Sequence, residues 1–496
     1  MKLVLKGHEE RYVVEQGMLN LFPQEKPVYG QLMPEDTTWA VVELKEEAAV
    51  CQVQVEVCWE GKTACHQLQV PLDGTAYQRE GQRRRAIGRC FFLAAQGVTG
   101  RTMPWGMLTG VRPVKLPTRA LQAGASPQQA RRELEEVYRV SPVRAKLALD
   151  CAQASLDVQR SLREREVSVY VGIPFCPTRC AYCSFVSADV GRTLHLVEPY
   201  LEGVEREIIA TAQALTQAGL TVRSFYMGGG TPTTLSASQM DRLLRVCREH
   251  LPLSDCTEYT VEAGRPDTIT REKLEVLRNN GIDRISINPQ TLEGEVLSAI
   301  GRKHSPQDIL DAYAQARAVG FSCINMDLIA GLPRDSFAGF CRSLNGVLAL
   351  DPENVTVHTL AMKKGSTLME QGGAVPGGEE VERMLEFSLN ELRGTGYRPY
   401  YLYRQKYMSG ALENVGWSKP GHESLYNIVM MEELHTVVSI GGGGVTKLIH
   451  PHQGKILRLA NPKFPQDYLA GLEKVLAQKQ AIPAFYQEHK LETSPV

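Results

Sequence analysis

The sequence has no apolar run that approaches the roughly 20 residues needed to cross a bilayer, so we expect no membrane span. Its amino terminus, Met1 to Lys6, lacks the apolar core of a signal peptide, and we therefore expect a cytoplasmic protein. Charge of one sign is missing as well, because 55 lysines and arginines face 56 aspartates and glutamates. The lack of a basic excess argues against nucleic acid as the main partner.

A disulfide framework is absent too, because the 12 cysteines do not follow the spacing of a small disulfide-rich domain. We expect them to be reduced, as in a cytosolic protein. Three of them nevertheless lie close together, at Cys176, Cys180 and Cys183, directly after an apolar run that predicts a strand. Thiolates are the ligands of iron–sulfur clusters, and three of them would leave one iron of a four-iron cluster without a protein ligand.

Two other interpretations of these cysteines are weaker. Buried cysteines can act as small apolar side chains, but three in one turn-rich loop are not typical of that role. A structural zinc ion takes four protein ligands, and no fourth Cys or His lies near this loop in the sequence. The sequence therefore predicts a metal centre over 176–183 with one open coordination position.

At 496 residues the chain exceeds what one hydrophobic core usually holds, and we expect several domains. We place an N-terminal α+β accessory domain at 1–164, a core at 165–370 and a smaller, substrate-side domain at 371–496. Residues 1–115 are predicted to be mainly strands, because 52–57 and 66–70 alternate polar and apolar residues, and two helices follow. We identify no constellation of catalytic residues before residue 165.

From Val167 onward, apolar strands alternate with helical patterns. Such alternation is typical of a parallel sheet with right-handed crossovers. About six units fit, fewer than the eight of a closed barrel, so the predicted fold class is α/β with a partial (β/α)6 barrel. The predicted strands span 167–173, 224–227, 257–261, 284–287, 322–329 and 354–360.

Polar residues and glycines gather where these predicted strands end. The second strand ends in Gly228-Gly229-Gly230, which lets a backbone approach a ligand closely, although a tight turn explains the same run equally well. The run lacks the Lys-Ser/Thr of a P-loop, so phosphate binding has little support. The other strand ends and the turn after the fourth strand add Glu262, Gln290, Arg302 and Asp327. Together these groups suit a ligand with an amine, a carboxylate and a ribose.

The combination of Cys-x3-Cys-x2-Cys with a strand-end Gly-Gly-Gly-Thr-Pro resembles the radical S-adenosylmethionine (SAM) superfamily. Over 165–365, the finer pattern is similar to oxygen-independent coproporphyrinogen III oxidase and its relatives, from Tyr-x-x-Ile-Pro-Phe-Cys to Asp327-Leu-Ile-x-Gly-Leu-Pro. Beyond it, 400–406, 412–416 and 426–428 resemble the HemZ branch of that family, as does the long N-terminal extension. The resemblance implies that the partial barrel is a radical SAM barrel.

The resemblance implies a [4Fe-4S] cluster on Cys176, Cys180 and Cys183, with SAM bound at the open iron. Some members of the family are thought to hold a second SAM beside the first, so one or two SAM molecules are expected. The positions that match SAM contacts are Tyr170, Tyr182, Gly229, Gly230, Thr231, Glu262, Gln290, Arg302, Asp327 and Ala361.

The activity implied by the resemblance is oxidative decarboxylation of two propionates of coproporphyrinogen III to vinyl groups, which gives protoporphyrinogen IX in haem biosynthesis. A flavodoxin- or ferredoxin-like protein would donate the electron that reduces the cluster. The tetrapyrrole carries carboxylates, so Arg404 and Lys406 are candidate substrate contacts, with a solvated polar edge as the equally open alternative.

Two departures from the family pattern lie beside the cysteines and concern the substrate. The oxidases have a histidine where this chain has Gly172, and a further cysteine where it has Phe185. Two alternatives therefore stay open: a haem chaperone with His304, His358 or His435 as axial ligand, and a radical SAM enzyme of another tetrapyrrole reaction, such as anaerobic haem breakdown.

Overall fold

The computed structural model describes residues 1–47, 49–183, 188–363, 366–371, 374–405, 412–450 and 456–488. It contains two compact units, Met1–Leu149 and Asp150–Val496. Across the described ranges, no helix combines the length and the apolar character that crossing a lipid bilayer requires. The strands are β1 Lys2–Lys6, β2 Val28–Tyr29, β3 Trp39–Glu47, β4 Val50–Trp59, β5 Lys62–Pro71, β6 Glu166–Ile173, β7 Phe175–Cys176, β8 Ala188–Asp189, β9 Thr221–Gly229, β10 Glu258–Gly264, β11 Arg284–Ile287, β12 Cys323–Ala330, β13 Asn354–Thr359, β14 Arg398–Tyr403, β15 Asn414–Ser418, β16 Val437–Ile440, β17 Val445–Ile449 and β18 Ile456–Ala460. The α-helices are α1 Arg11–Leu21, α2 Ala76–Thr99, α3 Lys115–Gln122, α4 Pro127–Arg132, α5 Pro142–Ser161, α6 Val190–Gln217, α7 Ala237–His250, α8 Arg271–Asn279, α9 Gly294–Ala299, α10 Pro306–Val319, α11 Phe337–Ala349, α12 Thr367–Gln371, α13 Gly378–Gly394, α14 Leu425–Glu432, α15 Pro465–Ala470, α16 Leu472–Gln478 and α17 Ala481–Glu488.

The first unit is an α+β fold with a five-stranded sheet in the order β2-β1-β3-β4-β5. Strands β4 and β5 confirm the two strands predicted from alternation, and Val53, Val55 and Val57 of β4 are buried. The prediction that residues 1–115 are mainly strands is wrong, because α1 and α2 lie in this range. Helix α2 buries Ile87, Cys90, Phe91 and Ala94, a helical spacing that its many arginines and glutamines obscure in the sequence.

The second unit contains the predicted partial barrel. Six parallel strands follow one another in the order β6-β9-β10-β11-β12-β13, and each predicted strand coincides with one of them to within three residues at either end. Because all six run in one direction, their carboxyl ends lie on one rim, where parallel sheets bind ligands.

The C-terminal residues extend this sheet at both edges. Strand β15 pairs antiparallel with β13, and β14 then pairs with β15. At the opposite edge, β16 pairs parallel with β6, and β17 and β18 continue the sheet. The domain boundaries placed at 164/165 and 370/371 stay predictions.

Glu207, a fully buried residue of α6, holds the region around β16 against the barrel. Its carboxylate accepts hydrogen bonds from Tyr468 Oη at 2.6 Å, from the Gly441 amide at 2.8 Å and from Asn461 Nδ2 at 2.8 Å. The charge is balanced by Lys479, whose Nζ lies 2.6 Å from Glu207 Oε1. A buried charge is tolerated only when it is paired and hydrogen-bonded in this way.

Candidate functional site

A cavity of about 380 Å³ opens at the carboxyl ends of the barrel strands. Its size is in the range of small-molecule and cofactor sites. The predicted residues that line it are Cys176, Cys180, Cys183, Tyr182, Gly229, Gly230, Thr231, Glu262, Gln290, Arg302, Asp327 and Ala361.

The cysteine loop is held in place by backbone hydrogen bonds to other rim segments. The Ala181 amide donates to Ile300 O at 3.0 Å, and the Ala181 carbonyl accepts from the Leu368 amide at 2.9 Å. Cys180 is buried, whereas the other two thiols are half-buried at the cavity. In the described part of the chain, no three His, Cys, Asp or Glu side chains surround the position of a single metal ion. Ligands of a cluster bind separate irons and need not converge on one point.

The glycine run packs directly against this loop. The Gly230 amide donates to Ile173 O at 2.8 Å, and the Thr231 amide donates to Phe175 O at 2.7 Å. A Cβ atom on Gly230 would lie 2.6 Å from Phe175 O, closer than real atoms come. The hydroxyl of Thr231 lies 3.5 Å from Cys176 Sγ. The run is therefore a tight contact with the cysteine loop, and its Gly229 and Gly230 also face the cavity.

Glu262, near the end of β10, is an acidic residue that contacts the glycine run. Its Oε1 accepts a hydrogen bond from Tyr226 Oη at 2.5 Å, and its Oε2 accepts one from the Gly229 amide at 3.3 Å. Burial raises the pKa of the Glu262 carboxyl to about 7, and the negative charge of Asp327 adds to that effect. A cationic ligand in the cavity would reverse this penalty by pairing with the carboxylate.

Asp327 and Gln290 lie side by side, because the Gln290 amide donates to Asp327 O at 2.8 Å. Although burial raises the pKa of the Asp327 carboxyl, hydrogen bonds from His358 and Asn325 hold it below its usual value. Gln290 has a φ of +67°, and within the described residues its buried Oε1 has no hydrogen-bond partner. A strained residue with an unpartnered polar atom at a cavity is typical of a ligand site.

Arg302 connects this rim to the cysteine loop. Its guanidinium donates to Asn288 O at 2.5 Å and to Tyr182 Oη at 3.4 Å. A buried guanidinium beside a thiolate centre supplies positive charge where the centre is anionic.

Two of the described site residues that the sequence predicted do not line the cavity. Tyr170 lies beside it, and its ring stacks on Tyr226 with centroids 6.3 Å apart. Arg404 is buried near Glu413, and burial lowers its pKa to about 10. Lys406, the other candidate substrate contact, lies outside the described residues.

The cavity wall also contains residues that the sequence did not single out. Tyr226 is one of them, although its inward direction follows from strand alternation with Ser224 and Gly228. Lys363 is another, and its charge lies close enough to Cys183 for the two to interact. Further along, the wall is formed by Tyr400, Tyr401, Tyr403 and Gln405, which belong to the 400–406 segment that resembles the HemZ branch.

Arg265, which follows the end of β10, fastens the cysteine loop. Its guanidinium donates to Thr178 Oγ1 at 2.7 Å and to Thr178 O at 3.2 Å. Two further N–H groups bind the carboxylate of Asp267 at 2.9 and 2.7 Å. This fork geometry is one that lysine could not reproduce.

Gly172, the departure from the family pattern that lies among the described residues, is explained by its neighbours. Its carbonyl accepts a hydrogen bond from Tyr200 Oη at 2.6 Å, and the same hydroxyl accepts one from the Gly442 amide at 2.7 Å. A Cβ atom on Gly172 would lie 2.9 Å from Gly442 O. The second glycine run, 441–444, thus occupies the space of a side chain at position 172. Phe185 lies outside the described residues.

We expect Gly172→Ala to destabilise the protein by about 1–3 kcal/mol, because backbone atoms have to move to admit the methyl group. Thermal unfolding of the full chain measures this loss. The matched control is Gly294→Ala, because no atom lies within 4 Å of the Cβ position of Gly294. Gly281 would not serve as a control, since its φ of +84° would itself strain an alanine. Equal unfolding temperatures for the two variants would contradict the close approach.

Comparisons with known proteins agree with this site. The family model described as "Radical SAM superfamily" matches residues 170–344. The chain is 40% identical over 487 residues to the oxygen-independent coproporphyrinogen-III oxidase-like protein HemZ of Bacillus subtilis, and the match covers 97% of each chain. It is 33% identical to the heme chaperone HemW of the same organism, over 53% of this chain and 66% of that protein.

The structure of coproporphyrinogen III oxidase (HemN) from Escherichia coli, a radical SAM enzyme, superposes with a TM-score of 0.51 and 25% sequence identity. The superposition covers 65% of this chain and 72% of that one. The cofactors of the superfamily, a [4Fe-4S] cluster and SAM, are therefore those of this chain. The chain belongs to the radical SAM superfamily and, within it, to the oxygen-independent coproporphyrinogen III oxidase-like family, in the HemZ branch.

Proposed function

We propose that the protein is a radical SAM enzyme that oxidatively decarboxylates two propionate side chains of coproporphyrinogen III, giving protoporphyrinogen IX. One observation carries this proposal. A single cavity combines the three thiols of the cysteine loop, a polar rim suited to SAM and a tyrosine wall formed by β14. The names of the HemZ and HemN relatives supply the substrate class.

The residues present fit the cofactors. Cys176, Cys180 and Cys183 would ligate three irons of the cluster, and Glu262 offers a carboxylate to the ammonium group of SAM. The unpartnered Oε1 of Gln290 offers an acceptor at the same rim. When bound and reduced, the cluster supplies the electron that cleaves SAM to methionine and a 5′-deoxyadenosyl radical. The protein's part is to position the ligands and to exclude water from them.

Among the described residues, the substrate side of the cavity is aromatic and includes the lysine Lys363. Tyr401 and Tyr403 of β14 stack with their ring centroids 6.3 Å apart, which offers a flat apolar surface to a tetrapyrrole. Lys363 lies on the wall near the cysteine loop and suits a propionate carboxylate. Arg404 is buried beside Glu413 and does not line the cavity, so the proposed substrate site does not include it.

An anaerobic assay tests the proposal. The full chain with a reconstituted cluster is supplied with SAM, coproporphyrinogen III and either dithionite or a flavodoxin- or ferredoxin-like donor. We expect 5′-deoxyadenosine and vinyl-bearing porphyrinogen to form together, at about two 5′-deoxyadenosine molecules for each product with two vinyl groups, because each propionate requires one radical. Cleavage of SAM without any vinyl product would reject this substrate while leaving the radical chemistry in place.

A second candidate function is haem transfer, and the 33% identity to a heme chaperone favours it. Of the three histidines considered as haem ligands, His358 lines the cavity. His435 is buried, its Nε2 lies 2.8 Å from Ser168 Oγ, and it is not among the described residues that line the cavity. Addition of haem to the purified protein separates the candidates: a stoichiometric Soret shift that His358→Ala abolishes, without porphyrinogen turnover, would favour the chaperone.

A further inference from the structure

A stack of three tyrosines lies beneath the glycine run, and each comes from a different element. Tyr170 belongs to β6, Tyr226 to β9 and Tyr426 to α14. The Tyr226 and Tyr426 rings are 4.4 Å apart between centroids and inclined by 18°, and the Tyr170 and Tyr226 rings are 6.3 Å apart and inclined by 19°. The Tyr170 and Tyr426 rings are also 6.3 Å apart and inclined by 20°, so the three rings pack on one another as a compact cluster. Offset stacking of this kind fixes the plane of the Tyr226 ring.

Of the three tyrosines, Tyr226 is the one that contacts the acidic residue of the rim. Tyr226 Oη donates to Glu262 Oε1 at 2.5 Å, while the Gly229 amide donates to Oε2 at 3.3 Å. The two donors come from the same strand, so they fix the carboxylate plane relative to the glycine run. A carboxylate that is held by two donors has a fixed orientation, and so have the lone pairs that it leaves for a ligand.

We infer that Tyr226 is a positioning residue of the SAM site: its hydroxyl orients the Glu262 carboxylate and favours its charged form, and Tyr426 holds the Tyr226 ring. The inference rests on the proposed contact between Glu262 and the ammonium group of SAM. It assigns a part in cofactor binding to helix α14, which lies outside the six-stranded barrel.

The surroundings of Glu262 explain why such help is needed. Burial and the charge of Asp327 raise its pKa, whereas the Tyr226 and Gly229 hydrogen bonds and the proximity of His358 lower it. The phenols of Tyr170 and Tyr426 complete the titratable groups that interact with it. An ammonium ligand requires the ionised carboxylate, so SAM binding should weaken as the pH falls through about 7.

The test is the pH dependence of SAM binding, measured by anaerobic equilibrium dialysis of the full chain with its cluster from pH 6 to 9. We expect Tyr226→Phe to shift the acidic limb upward by about one to two pH units, because a hydrogen bond to the charged form is lost. At pH 7 the dissociation constant would rise about tenfold, and at high pH it would return toward that of the unaltered protein. The amino group of SAM titrates in the same way with the unaltered protein and with the variant, so the difference between the two profiles reports on the protein.

Matched variants separate this role from a general loss of structure. Tyr259→Phe removes a phenol from the neighbouring strand β10, where the ring packs on Phe225, and should leave the pH profile unchanged. Tyr426→Leu retains the Tyr226 hydroxyl but removes its stacking partner, and should shift the profile in the same direction by a smaller amount. In a Glu262→Gln background, adding Tyr226→Phe should have no further effect.

The outcomes distinguish this inference from the proposed function on which it rests. If Glu262→Gln removes the acidic limb but Tyr226→Phe superposes on the unaltered protein, the positioning role is wrong and the SAM contact stands. If Glu262→Gln leaves both affinity and pH profile unchanged, the SAM contact itself is wrong and the inference falls with it. A uniform weakening by Tyr226→Phe at every pH would also overturn the inference.

Discussion

Cys180→Ser should abolish the visible absorbance of the reconstituted cluster and, with it, the cleavage of SAM. Cys180 is the buried member of the three thiols and lies beside Arg302. A serine hydroxyl is a poor ligand for iron at neutral pH, because it stays protonated where a thiol ionises. Since loss of groups that merely support a metal ligand costs 10–100-fold, we expect SAM cleavage to fall by more than about 100-fold.

The control for this experiment is another cysteine-to-serine change. Cys65 lies exposed on β5 in the first unit, and Cys65→Ser should keep both the absorbance and the cleavage of SAM. Cleavage is best measured with dithionite, so that the result does not depend on a protein electron donor or on the porphyrinogen. Retention of the cluster spectrum and of cleavage in Cys180→Ser would show that the ligand assignment is wrong.

Glu207→Ala should give the largest loss of stability of any single change considered for this chain. The substitution leaves the Lys479 ammonium, which is 3% exposed, without its carboxylate partner. Breaking a buried pair in this way typically costs about 3–5 kcal/mol, because the remaining charge is uncompensated. Denaturant unfolding of the full chain, followed by circular dichroism, measures the change in midpoint.

The same helix offers a control pair. Arg206 lies next to Glu207 and pairs with Glu473 at 2.6 Å, but Glu473 is 79% exposed. Glu473→Ala should therefore change the free energy of unfolding by less than about 1 kcal/mol, as is usual for exposed ion pairs. A similar loss in both variants would contradict the role of burial. Recovery of stability in a Glu207→Met, Lys479→Met double variant would support it.

The barrel could be predicted because its signals are local. Each parallel strand is a short apolar run, and helix stops such as Asn280-Gly281 separate the units. The edges of the sheet could not be predicted, since pairing of β16 with β6 joins segments about 270 residues apart. Helix α2 was missed because its arginine-rich face conceals a buried stripe that a search for apolar runs does not detect.

The candidate site could be predicted in part for the same reason. Parallel strands bring their ends together, so a residue at each strand end, such as Glu262 or Asp327, meets the others at one rim. Tyr426 and Lys363 do not lie at the ends of the barrel strands, so that rule does not place them. Nothing in their local sequence indicates where they point. The structural reason for a glycine at position 172 could not be predicted either, because it depends on a glycine run some 270 residues later.

The pairing of β6 with β16 has a consequence for synthesis on the ribosome. Strand β6 leads into the cysteine loop, yet one of its two neighbours, Val437–Ile440, follows it only about 270 residues later in the sequence. Until that segment emerges, β6 is an edge strand with unpaired backbone groups, a state prone to misassociation. The nascent protein thus exposes the strand that leads into its cluster loop while about 260 further residues are made, and the strand that completes the pairing beside the cluster site forms only after residues 437–440 have been made.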